Sequence, residues 1–494
     1  MAETYQNFIG GKWVPASSGE TFESRNPANT DEVVGTFPRS GGEDVDAAVQ
    51  AAKEAYREWM LTPAPERADY LLRVALLLED RIEEWAELMT REMGKTLKES
   101  RGDIQEGIDF LHYMAGEGRR MLGHTVPSEL RNKFSMTIRH PIGVVGLITP
   151  WNFPIAIPCW KIAPAVVSGC TSIFKPAEDT PLLATLLIQA FEEVGLPPGV
   201  LNLVHGYGEE AGAPMVEHPG VRAISFTGSL EVGRAINERC GALMKRCSLE
   251  LGSKNVMIVM PDADMDLAVE AAAWGAFATS GQRCTATSRL VVHDGARVEF
   301  TERLLERVGG MKVGSGLDPE VELAPVINEK QKRRILDYIE VGKQEGAKLL
   351  TGGEELTGEG YEKGQFIAPT VFDEMTPDMR IAREEIFGPV TGIIRTDDVD
   401  EAIRIANSVD YGLSAAIYTH DITNVFKAIT ELEFGIAYVN APTIGAEIQL
   451  PFGGMKNTGN GHREAGPQAL DEFMEWKSVS VDYSGKVQKA QGID

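Results

Sequence analysis

Three residues of this chain carry the groups that thioester chemistry needs: Cys284, Glu250 and Asn152. Cysteine attacks a carbonyl carbon best as a thiolate, and a carboxylate can activate water as a general base. An amide can donate a hydrogen bond to a developing oxyanion. Together they are the three parts needed to oxidise an aldehyde through a covalent thioester. Each alone has an ordinary explanation in packing or in a turn, so the prediction depends on the combination.

The residues before Cys284 predict an accessible nucleophile. An amphipathic run leads into Gly281-Gln282-Arg283, which would present the thiol in a loop beside a cation. Because a neighbouring cation lowers the pKa of a thiol, Arg283 is expected to favour the thiolate. Arg283 has two other interpretations, which stay open: it pairs with a neighbouring acid, or it binds a substrate carboxylate.

The expected positions of Glu250 and Asn152 suit their chemistry. Glu250 ends an apolar-flanked strand and precedes Gly252, so its carboxylate would lie at the carboxyl edge of a sheet, where α/β proteins form their sites. Partial burial would raise its pKa and make it a useful base. Asn152 lies between Trp151 and Phe153 just after a buried strand, where an amide can act in a dry pocket.

Two turns between a strand and a helix are suited to a dinucleotide. In the run Phe226–Gly233, the amides of Gly228 and Ser229 would approach a phosphate at a helix amino terminus. After another strand, Lys175 and Glu178 could bind ribose hydroxyls. A carboxylate facing the ribose disfavours a 2′-phosphate, so the sequence favours NAD, with NADP possible.

Hydrophobic periodicity predicts an α/β chain. Helices are expected over Asp44–Trp59, Glu66–Leu97 and Ile104–Met121, followed by a strand at Phe134–His140. From Gly143 onward short β-branched runs alternate with helices, which is the βαβ pattern of a doubly wound parallel sheet. A second α/β series begins near Lys254, and Val479–Tyr483 predicts an edge strand that another subunit could extend.

Composition excludes several classes of function. The chain has 494 residues, enough for two or three domains, and a formal charge of −25 that would repel nucleic acid and anionic membranes. Its five cysteines form no CxxC pair and no zinc spacing, so no metal is expected. No apolar run reaches bilayer length and no secretory signal is visible at the amino end, which predicts a cytoplasmic protein.

With these motifs in this order, the chain resembles the aldehyde dehydrogenase superfamily from Asn7 to the carboxyl end. The matching segments are Thr149–Pro154, Lys175–Glu178, Phe226–Gly233, Glu250–Gly252, Gly281–Thr285, Glu384–Val390 and Pro451–Gly454. The resemblance implies a Rossmann-like NAD-binding domain (1–122 and 141–252), an α/β catalytic domain (253–457) and a small β oligomerisation arm (123–140 and 458–494). It also implies a homodimer or homotetramer.

The resemblance implies roles for individual residues. Cys284 would be the nucleophile, Glu250 would activate the deacylating water, and Asn152 with the Cys284 amide would form the oxyanion hole. Lys161 would assist proton movement behind the base. The cofactor would contact Thr149, Pro150, Trp151, Lys175, Glu178, Gly208, Phe226, Thr227, Gly228, Ser229, Gly233, Leu251, Glu385 and Phe387. The aldehyde would contact Phe153, Trp160, Arg283, Thr285, Gly445, Ala446 and Phe452.

The substrate signals concern the residues around the nucleophile. Arg283 and the small residues of 442–447 are similar to branches of the family that act on α-ketoglutaric or α-aminoadipic semialdehyde, and residues 281–290 are most similar to the former. Succinic semialdehyde or a broad range of aliphatic aldehydes are the alternatives. Two departures from the family pattern are Ser253 in Gly252-Ser253-Lys254 and His462 before Arg463.

Three rival functions use the same residues or the same fold. A Cys/Glu hydrolase would also pass through a thioester, and a CoA-acylating aldehyde dehydrogenase would hand the acyl group to CoA. A structural protein would keep the fold without the chemistry. Glu250 argues against CoA acylation, because a water-activating base would waste the thioester.

Overall fold

The structure is a computed structural model that describes residues 3–489 and 491. Its helices are α1 (Gly42–Leu61), α2 (Ala64–Met93), α3 (Leu97–Glu117), α4 (Ala156–Ser168), α5 (Pro181–Glu193), α6 (Ala213–Glu217), α7 (Leu230–Ala242), α8 (Met265–Phe277), α9 (Asp294–Gly309), α10 (Glu329–Gln344), α11 (Arg380–Arg383), α12 (Val399–Asn407), α13 (Ile422–Glu431) and α14 (Ala469–Phe473). A π-helical turn covers Gly208–Gly212 and a 3-10 turn covers Ala278–Gly281.

The strands alternate with these helices through most of the chain. They are β1 (Asn7–Ile9), β2 (Lys12–Val14), β3 (Thr21–Asn26), β4 (Asn29–Pro38), β5 (Thr125–Val126), β6 (Lys133–Pro141), β7 (Val144–Ile148), β8 (Thr171–Lys175), β9 (Leu201–Leu203), β10 (Ala223–Thr227), β11 (Arg246–Glu250), β12 (Asn255–Val259), β13 (Thr287–His293), β14 (Lys348–Thr351), β15 (Thr370–Asp373), β16 (Val390–Thr396), β17 (Tyr411–Gly412), β18 (Ser414–Tyr418), β19 (Ile436–Val439), β20 (Met455–Lys456) and β21 (Met474–Asp482). The predicted α/β class is confirmed.

Two seven-stranded sheets form the cores of the molecule. The first has the order β11-β10-β7-β8-β9-β1-β2, in which the strands from β11 to β9 are parallel. The second has the order β14-β15-β16-β13-β12-β18-β19, parallel except for β14. All five residues of β7, β8 and β12 are buried, as expected when helices cover both faces of a parallel sheet.

A third sheet lies apart from the two cores. It has the order β21-β6-β5, and β21 pairs with β6 over nine residues, from Met474 opposite Pro141 to Asp482 opposite Lys133. The predicted strand at Phe134–His140 lies within β6, and the one at Val479–Tyr483 lies within β21 except for Tyr483, because β21 begins earlier and ends at Asp482. Among the described residues β21 is an outer strand, and Trp476 remains half exposed on it.

The prediction of a single helix over Glu66–Leu97 is wrong at its end. Helix α2 stops at Met93, because Gly94 takes a left-handed conformation (φ +95°) against Pro27, where a Cβ would lie 2.7 Å from the ring. Thr96 then caps α3, since its hydroxyl accepts a hydrogen bond from the Glu99 amide. The predicted helix Ile104–Met121 therefore begins earlier, at Leu97, and ends at Glu117.

The break between α2 and α3 directs Lys95 into the protein. Its ammonium is fully buried, donates to Asp103 (2.9 Å) and also donates to the main-chain carbonyl of Asn152 (2.7 Å). The helical layer is thereby linked to one of the predicted catalytic residues. No helix within 3–489 combines the length and the apolarity needed to cross a bilayer.

Candidate active site

The three predicted catalytic residues lie where the two large sheets face each other. Asn152 follows β7 and Glu250 ends β11, both in the first sheet, whereas Cys284 precedes β13 of the second. The Asn152 side chain reaches across and donates to the Gln282 carbonyl at 3.0 Å, two residues before Cys284. The structure therefore brings the thiol, the carboxylate and the amide together, as the sequence predicted.

A turn in an unusual conformation presents Cys284. Thr279, Ser280 and Gly281 all have left-handed backbones, with φ of 52°, 56° and 68°. Non-glycine residues pay about 1–2 kcal/mol each for this conformation, so surrounding contacts must hold it. The Ser280 hydroxyl donates to the Ala324 carbonyl (2.5 Å), and the Gln282 side chain accepts from the Ile327 amide (2.9 Å).

We expect Gly281→Ala to displace the nucleophile. A Cβ at this position would lie 2.0 Å from the Gly388 carbonyl oxygen, a backbone atom that cannot move aside. The free energy of unfolding should fall by about 2–4 kcal/mol, and kcat by roughly 100-fold, as the thiol leaves its position. Thermal melting and steady-state kinetics measure both quantities. Gly309→Ala is the control, since a Cβ there meets nothing within 4 Å; equal effects of the two variants would contradict the explanation.

Asn255 is a positioning residue that sequence reasoning missed. Its side-chain amide donates to the main-chain carbonyls of Cys284 (2.7 Å) and Ala286 (2.9 Å), and its oxygen accepts from the Ser414 amide (3.0 Å). It fixes the chain immediately after the nucleophile. A buried asparagine at the start of the apolar strand β12 is the one signal in the sequence that points to it.

Arg283 lowers the pKa of Cys284, as expected, but burial and three glutamate charges outweigh this effect. Burial raises the pKa of the thiol to about 12, and the negative charges of Glu250, Glu385 and Glu106 add to this effect. The opposing influence of Arg283 is smaller. The thiol is therefore protonated at rest and needs a base before it can attack.

Arg283 also pairs with a neighbouring acid, one of the alternatives that the sequence left open. Its Nη2 lies 3.5 Å from a carboxylate oxygen of Glu99, and its Nε donates to the Thr279 hydroxyl at 2.9 Å. The guanidinium also lies over the Phe153 ring, 5.2 Å from the centroid. Its Nη1 donates to no residue among those the structure describes, so the group keeps a free donor.

Glu250 is almost completely buried, whereas the sequence predicted that it would be partly buried. Its residue exposure is 3%, and neither carboxyl oxygen has a hydrogen-bond partner within the described part of the chain. Burial, followed by the charges of Glu464 and Glu472, raises its pKa well above the usual value for a carboxyl group. A carboxylate with a raised pKa is a stronger base than an ordinary one, which suits the activation of water.

Lys161 lies behind Glu250 in a fully buried polar cluster. Its ammonium forms an ion pair with Glu464 and donates to the Ser225 hydroxyl at 2.9 Å. The Ser225 hydroxyl in turn donates to Glu472 at 3.2 Å. Glu464 and Glu472 were not predicted, because they lie more than 200 residues from Glu250 in the sequence.

The predicted cofactor residues form one continuous surface at the carboxyl edge of the first sheet. The hydroxyls of Thr149 and Thr227 are buried and have no hydrogen-bond partner among residues 3–489 and 491. Gly228 packs against Phe226, where a Cβ would lie 2.5 Å from the ring, and Gly233 packs against Leu251. Unpaired hydroxyls beside close glycine contacts fit a nucleotide at the amino end of α7.

Other predicted cofactor residues complete this surface. The Lys175 ammonium donates to the carbonyls of Pro176 and Gly206 and lies 3.8 Å from Glu178, and Gly208 opens the adjacent π-helical turn. Among the other predicted cofactor residues, Pro150 and Trp151 follow β7 and Ser229 follows β10, all in the first sheet, whereas Glu385 and Phe387 precede β16 of the second sheet.

Glu385 and Phe387 shape the end of this surface nearest to Cys284. A Glu385 oxygen accepts from the Ser253 amide (2.9 Å), and a Cβ on Gly252 would lie 2.2 Å from its carboxylate. Phe387 has a left-handed backbone (φ 61°), and its ring meets Trp151 edge-on with centroids 5.5 Å apart. These contacts fit a ribose held by Glu385 and a flat ring held beside two aromatic side chains.

A cleft of about 520 Å³ opens beside Arg283, the residue before Cys284, and contains part of the predicted substrate set. Phe153 and Arg283 line it together with Glu106, Trp274 and Phe277, which the sequence did not single out. Trp160 and Phe452 meet edge-on behind it, with centroids 5.0 Å apart, and Thr285 is buried. Ala446 packs into the same cluster as Cys284, whereas Gly445 is exposed.

Comparisons with known proteins agree with this geometry. The model of the aldehyde dehydrogenase family matches residues 13–479. An α-ketoglutaric semialdehyde dehydrogenase of Bacillus subtilis is 46% identical and covers 97% of this chain and 98% of its own. A malonate-semialdehyde dehydrogenase of Geobacillus thermodenitrificans is 43% identical, with 97% and 98% covered. The structure of betaine aldehyde dehydrogenase from Staphylococcus aureus in complex with NAD+ superposes with a TM-score of 0.96 at 34% identity, covering 99% and 97%.

Proposed function

Because the chain belongs to the aldehyde dehydrogenase family, and is therefore an oxidoreductase that acts on aldehydes, we propose that it works through a thioester on Cys284. The observation that carries this proposal is the meeting of Cys284, Glu250 and Asn152 between the two sheets. A Cys/Glu hydrolase and a structural protein are not supported, since family and relatives alike are dehydrogenases.

In the proposed mechanism the Cys284 thiol gives its proton to solvent water as its sulfur bonds to the aldehyde carbon. The Asn152 amide and the Cys284 main-chain N–H donate to the oxygen that becomes negative. NAD, held by the residues at the amino end of α7 and by Glu385 and Phe387, would supply the hydride acceptor for oxidation of the carbon attached to sulfur, which leaves a thioester on Cys284. Glu250 then takes a proton from water, the water oxygen bonds to the carbonyl carbon, and the C–S bond breaks to release the carboxylic acid.

We further propose that the aldehyde is a semialdehyde acid, with α-ketoglutaric semialdehyde as the first candidate. Support comes from the relatives, whose names specify semialdehydes of this kind, and from the unused Nη1 donor of Arg283 in the cleft. In a chain with a formal charge of −25, an anionic substrate needs such a local cation. α-Aminoadipic, succinic and malonic semialdehydes and neutral aliphatic aldehydes are the alternatives.

Replacement of Arg283 tests the substrate class. Arg283→Ala should raise KM for α-ketoglutaric semialdehyde by roughly 10- to 100-fold, because a charge-assisted hydrogen bond contributes about 1.5–3 kcal/mol. KM for pentanal, a neutral aldehyde of the same chain length, should change much less. Steady-state kinetics with saturating NAD give both values.

The matched control is Arg101→Ala, which removes a guanidinium from the rim of the same cleft. Arg101 is 44% exposed and pairs with Glu83, so its loss should leave both KM values nearly unchanged. An equal rise in KM for the acid and for pentanal in Arg283→Ala would contradict a carboxylate-binding role.

The finer predictions on cofactor and assembly remain proposals. Binding of NAD is supported by the NAD+ complex of the solved relative, and preference over NADP rests on Glu178. The division into an NAD-binding domain, a catalytic domain and an oligomerisation arm stays a prediction with the bounds given above. The same holds for a homodimer or homotetramer and for a cytoplasmic location.

A further inference from the structure

We propose that the buried ion pair of Lys95 and Asp103 positions the oxyanion hole by holding the turn that presents Asn152. This inference deepens the proposed function and rests on it, because it concerns the donor that meets the substrate oxygen when Cys284 attacks. Lys95 and Asp103 are positioning residues in this scheme, since they act on the reaction through Asn152.

The ion pair holds this turn at both of its ends. The Lys95 ammonium donates to the main-chain carbonyl of Asn152 at 2.7 Å and to Oδ2 of Asp103 at 2.9 Å. Oδ1 of Asp103 in turn accepts from the N–H of Ala156 at 2.7 Å. The segment 152–156 is therefore fixed by a donor at its start and by an acceptor at its end.

The contact at the end of the turn comes from another helix. Helix α4 begins at Ala156, and Ile155 before it has no polar side chain that could cap the helix. The first N–H groups of a helix have no partner inside it, so an acceptor has to come from elsewhere. Asp103 on α3 supplies this acceptor, and its negative charge faces the positive end of the α4 dipole. The start of α4 thus depends on a residue of α3.

Stability alone does not account for an ion pair in this place. Both side chains are completely buried. The loss of hydration commonly outweighs the attraction within a buried ion pair, so apolar residues of similar volume often stabilise a protein as well or better. The Lys95 ammonium also lies over the Phe153 ring, 4.1 Å from its centroid, so it contacts two successive residues of the turn. Apolar side chains could not fix the main chain at Asn152 in this way.

The position of the turn matters because the Asn152 side chain has two N–H bonds with different tasks. One donates to the Gln282 carbonyl at 3.0 Å, which connects the turn to the chain before Cys284. The other would donate to the oxygen of the attacked carbonyl group. A hydrogen bond weakens steeply as its donor tilts or moves away. A shift of the segment 152–156 would therefore reduce transition-state stabilisation much more than binding of the substrate.

The test measures acylation of Cys284 in the full-length protein with p-nitrophenyl acetate. The sulfur bonds to the acetyl carbon, the ester C–O bond breaks, and p-nitrophenol leaves with the thiol proton, so stopped-flow absorbance gives the acylation rate without aldehyde or cofactor. Lys95→Met should slow acylation at saturating ester roughly 10- to 100-fold, somewhat less than removal of an oxyanion donor, because the donor is displaced and not lost. The ester concentration at half-saturation should change by less than about threefold.

A double-mutant cycle shows whether Lys95 acts through Asn152. Asn152→Ala keeps the main-chain carbonyl that Lys95 binds and removes the side-chain amide that the turn presents. In this background Lys95→Met should slow acylation further by less than about twofold, because effects that pass through one shared group do not add. Equal slowing by Lys95→Met in both backgrounds would overturn the proposal, since a general loss of structure acts whether or not the amide is present.

A second variant separates position from stability. Lys95→Met combined with Asp103→Asn removes both charges, and the new amide oxygen can still accept from the Ala156 N–H. Lys95→Met alone leaves a buried carboxylate unpaired and should melt about 5–10 °C below the unaltered protein, whereas the double variant should melt close to it. Acylation should remain slow in both. Recovery of acylation together with stability would show that the pair only stabilises the fold. The double variant also serves if Lys95→Met does not fold.

Lys332→Met is the matched control for loss of a buried lysine. Lys332 lies on α10 and forms an ion pair with Glu355, so its replacement should lower the melting temperature and leave acylation unchanged. Unchanged acylation in folded Lys95→Met would contradict the proposal, as would equal slowing in Lys332→Met. If the unaltered protein is acylated but does not oxidise α-ketoglutaric semialdehyde, only the substrate proposal fails. If it is not acylated, the thioester mechanism fails, and the positioning role with it.

Discussion

Cys284→Ala is expected to abolish aldehyde oxidation, with a fall in kcat of about 10⁴-fold or more, because no other side chain can form the covalent bond to the aldehyde carbon. Among the described cysteines Cys284 is half-buried, and the other four are buried. NADH production by the variant should not rise above the rate without protein. Binding of NADH, followed by quenching of tryptophan fluorescence, should persist, since Trp151 and the residues around α7 are unchanged.

Cys240→Ala provides the control for loss of a thiol. Cys240 lies in α7 with 1% exposure, and the variant should retain oxidation close to that of the unaltered protein. Residual turnover by Cys284→Ala above about one part in a thousand would contradict the role of this residue as the nucleophile.

Glu250→Gln is expected to halt the reaction after one turnover. Acylation should proceed and give a single burst of NADH, while the acyl group stays on Cys284, because a neutral amide cannot take a proton from water. Deacylation should slow by about 10²- to 10⁴-fold, the usual contribution of a general base. Mass spectrometry of the quenched protein identifies the trapped adduct, and stopped-flow absorbance measures the burst.

The same residue predicts the pH dependence of turnover. A base works in its deprotonated form, and burial with the charges of Glu464 and Glu472 raises the pKa of Glu250. Deacylation in the unaltered protein should therefore increase as pH rises through the pKa of Glu250, at a higher pH than for an ordinary carboxyl group, and Glu250→Gln should lose this limb. Sustained turnover by the variant would remove Glu250 from the role of base. Faster turnover on addition of CoA would instead indicate a CoA-acylating aldehyde dehydrogenase, in which CoA accepts the acyl group.

The architecture of the sheets was predictable because it depends on local pattern. β7, β8 and β12 are short apolar runs between helices with helical period, and such runs predict buried parallel strands. Strands β3 and β4 were not predicted, although β3 alternates buried and exposed residues. Two of its three buried positions, Ser24 and Asn26, are themselves polar, so the sequence shows no alternation of apolar and polar residues.

The break between α2 and α3 was not predictable by periodicity. A single glycine lowers helix propensity by only about 1 kcal/mol, so Gly94 alone does not end a helix. The stop depends on Pro27, which packs against Gly94 from a distant part of the chain. Periodicity also could not show that Lys95 leaves the helix and reaches the Asn152 carbonyl.

Within the site, sequence patterns identified the reacting groups but not their surroundings. Arg283 and Cys284 are neighbours in the chain, and the guanidinium lowers the pKa of the thiol, but the sequence could not show that burial and the charges of distant glutamates outweigh this effect. Glu464 and Glu472 belong to no local motif with Glu250. Only the folded chain brings these three carboxyl groups together.

The left-handed turn before Cys284 limits how this protein can be redesigned. Thr279, Ser280 and Gly281 tolerate neither an inserted residue nor a deleted one, since each backbone conformation depends on the next and the Gly388 carbonyl leaves no space. Loop grafting, a common route to new substrate ranges, would therefore disrupt the reacting sulfur first. Libraries aimed at other aldehydes should vary the walls of the cleft at Trp274 and Phe277 and keep residues 279–284 as they are.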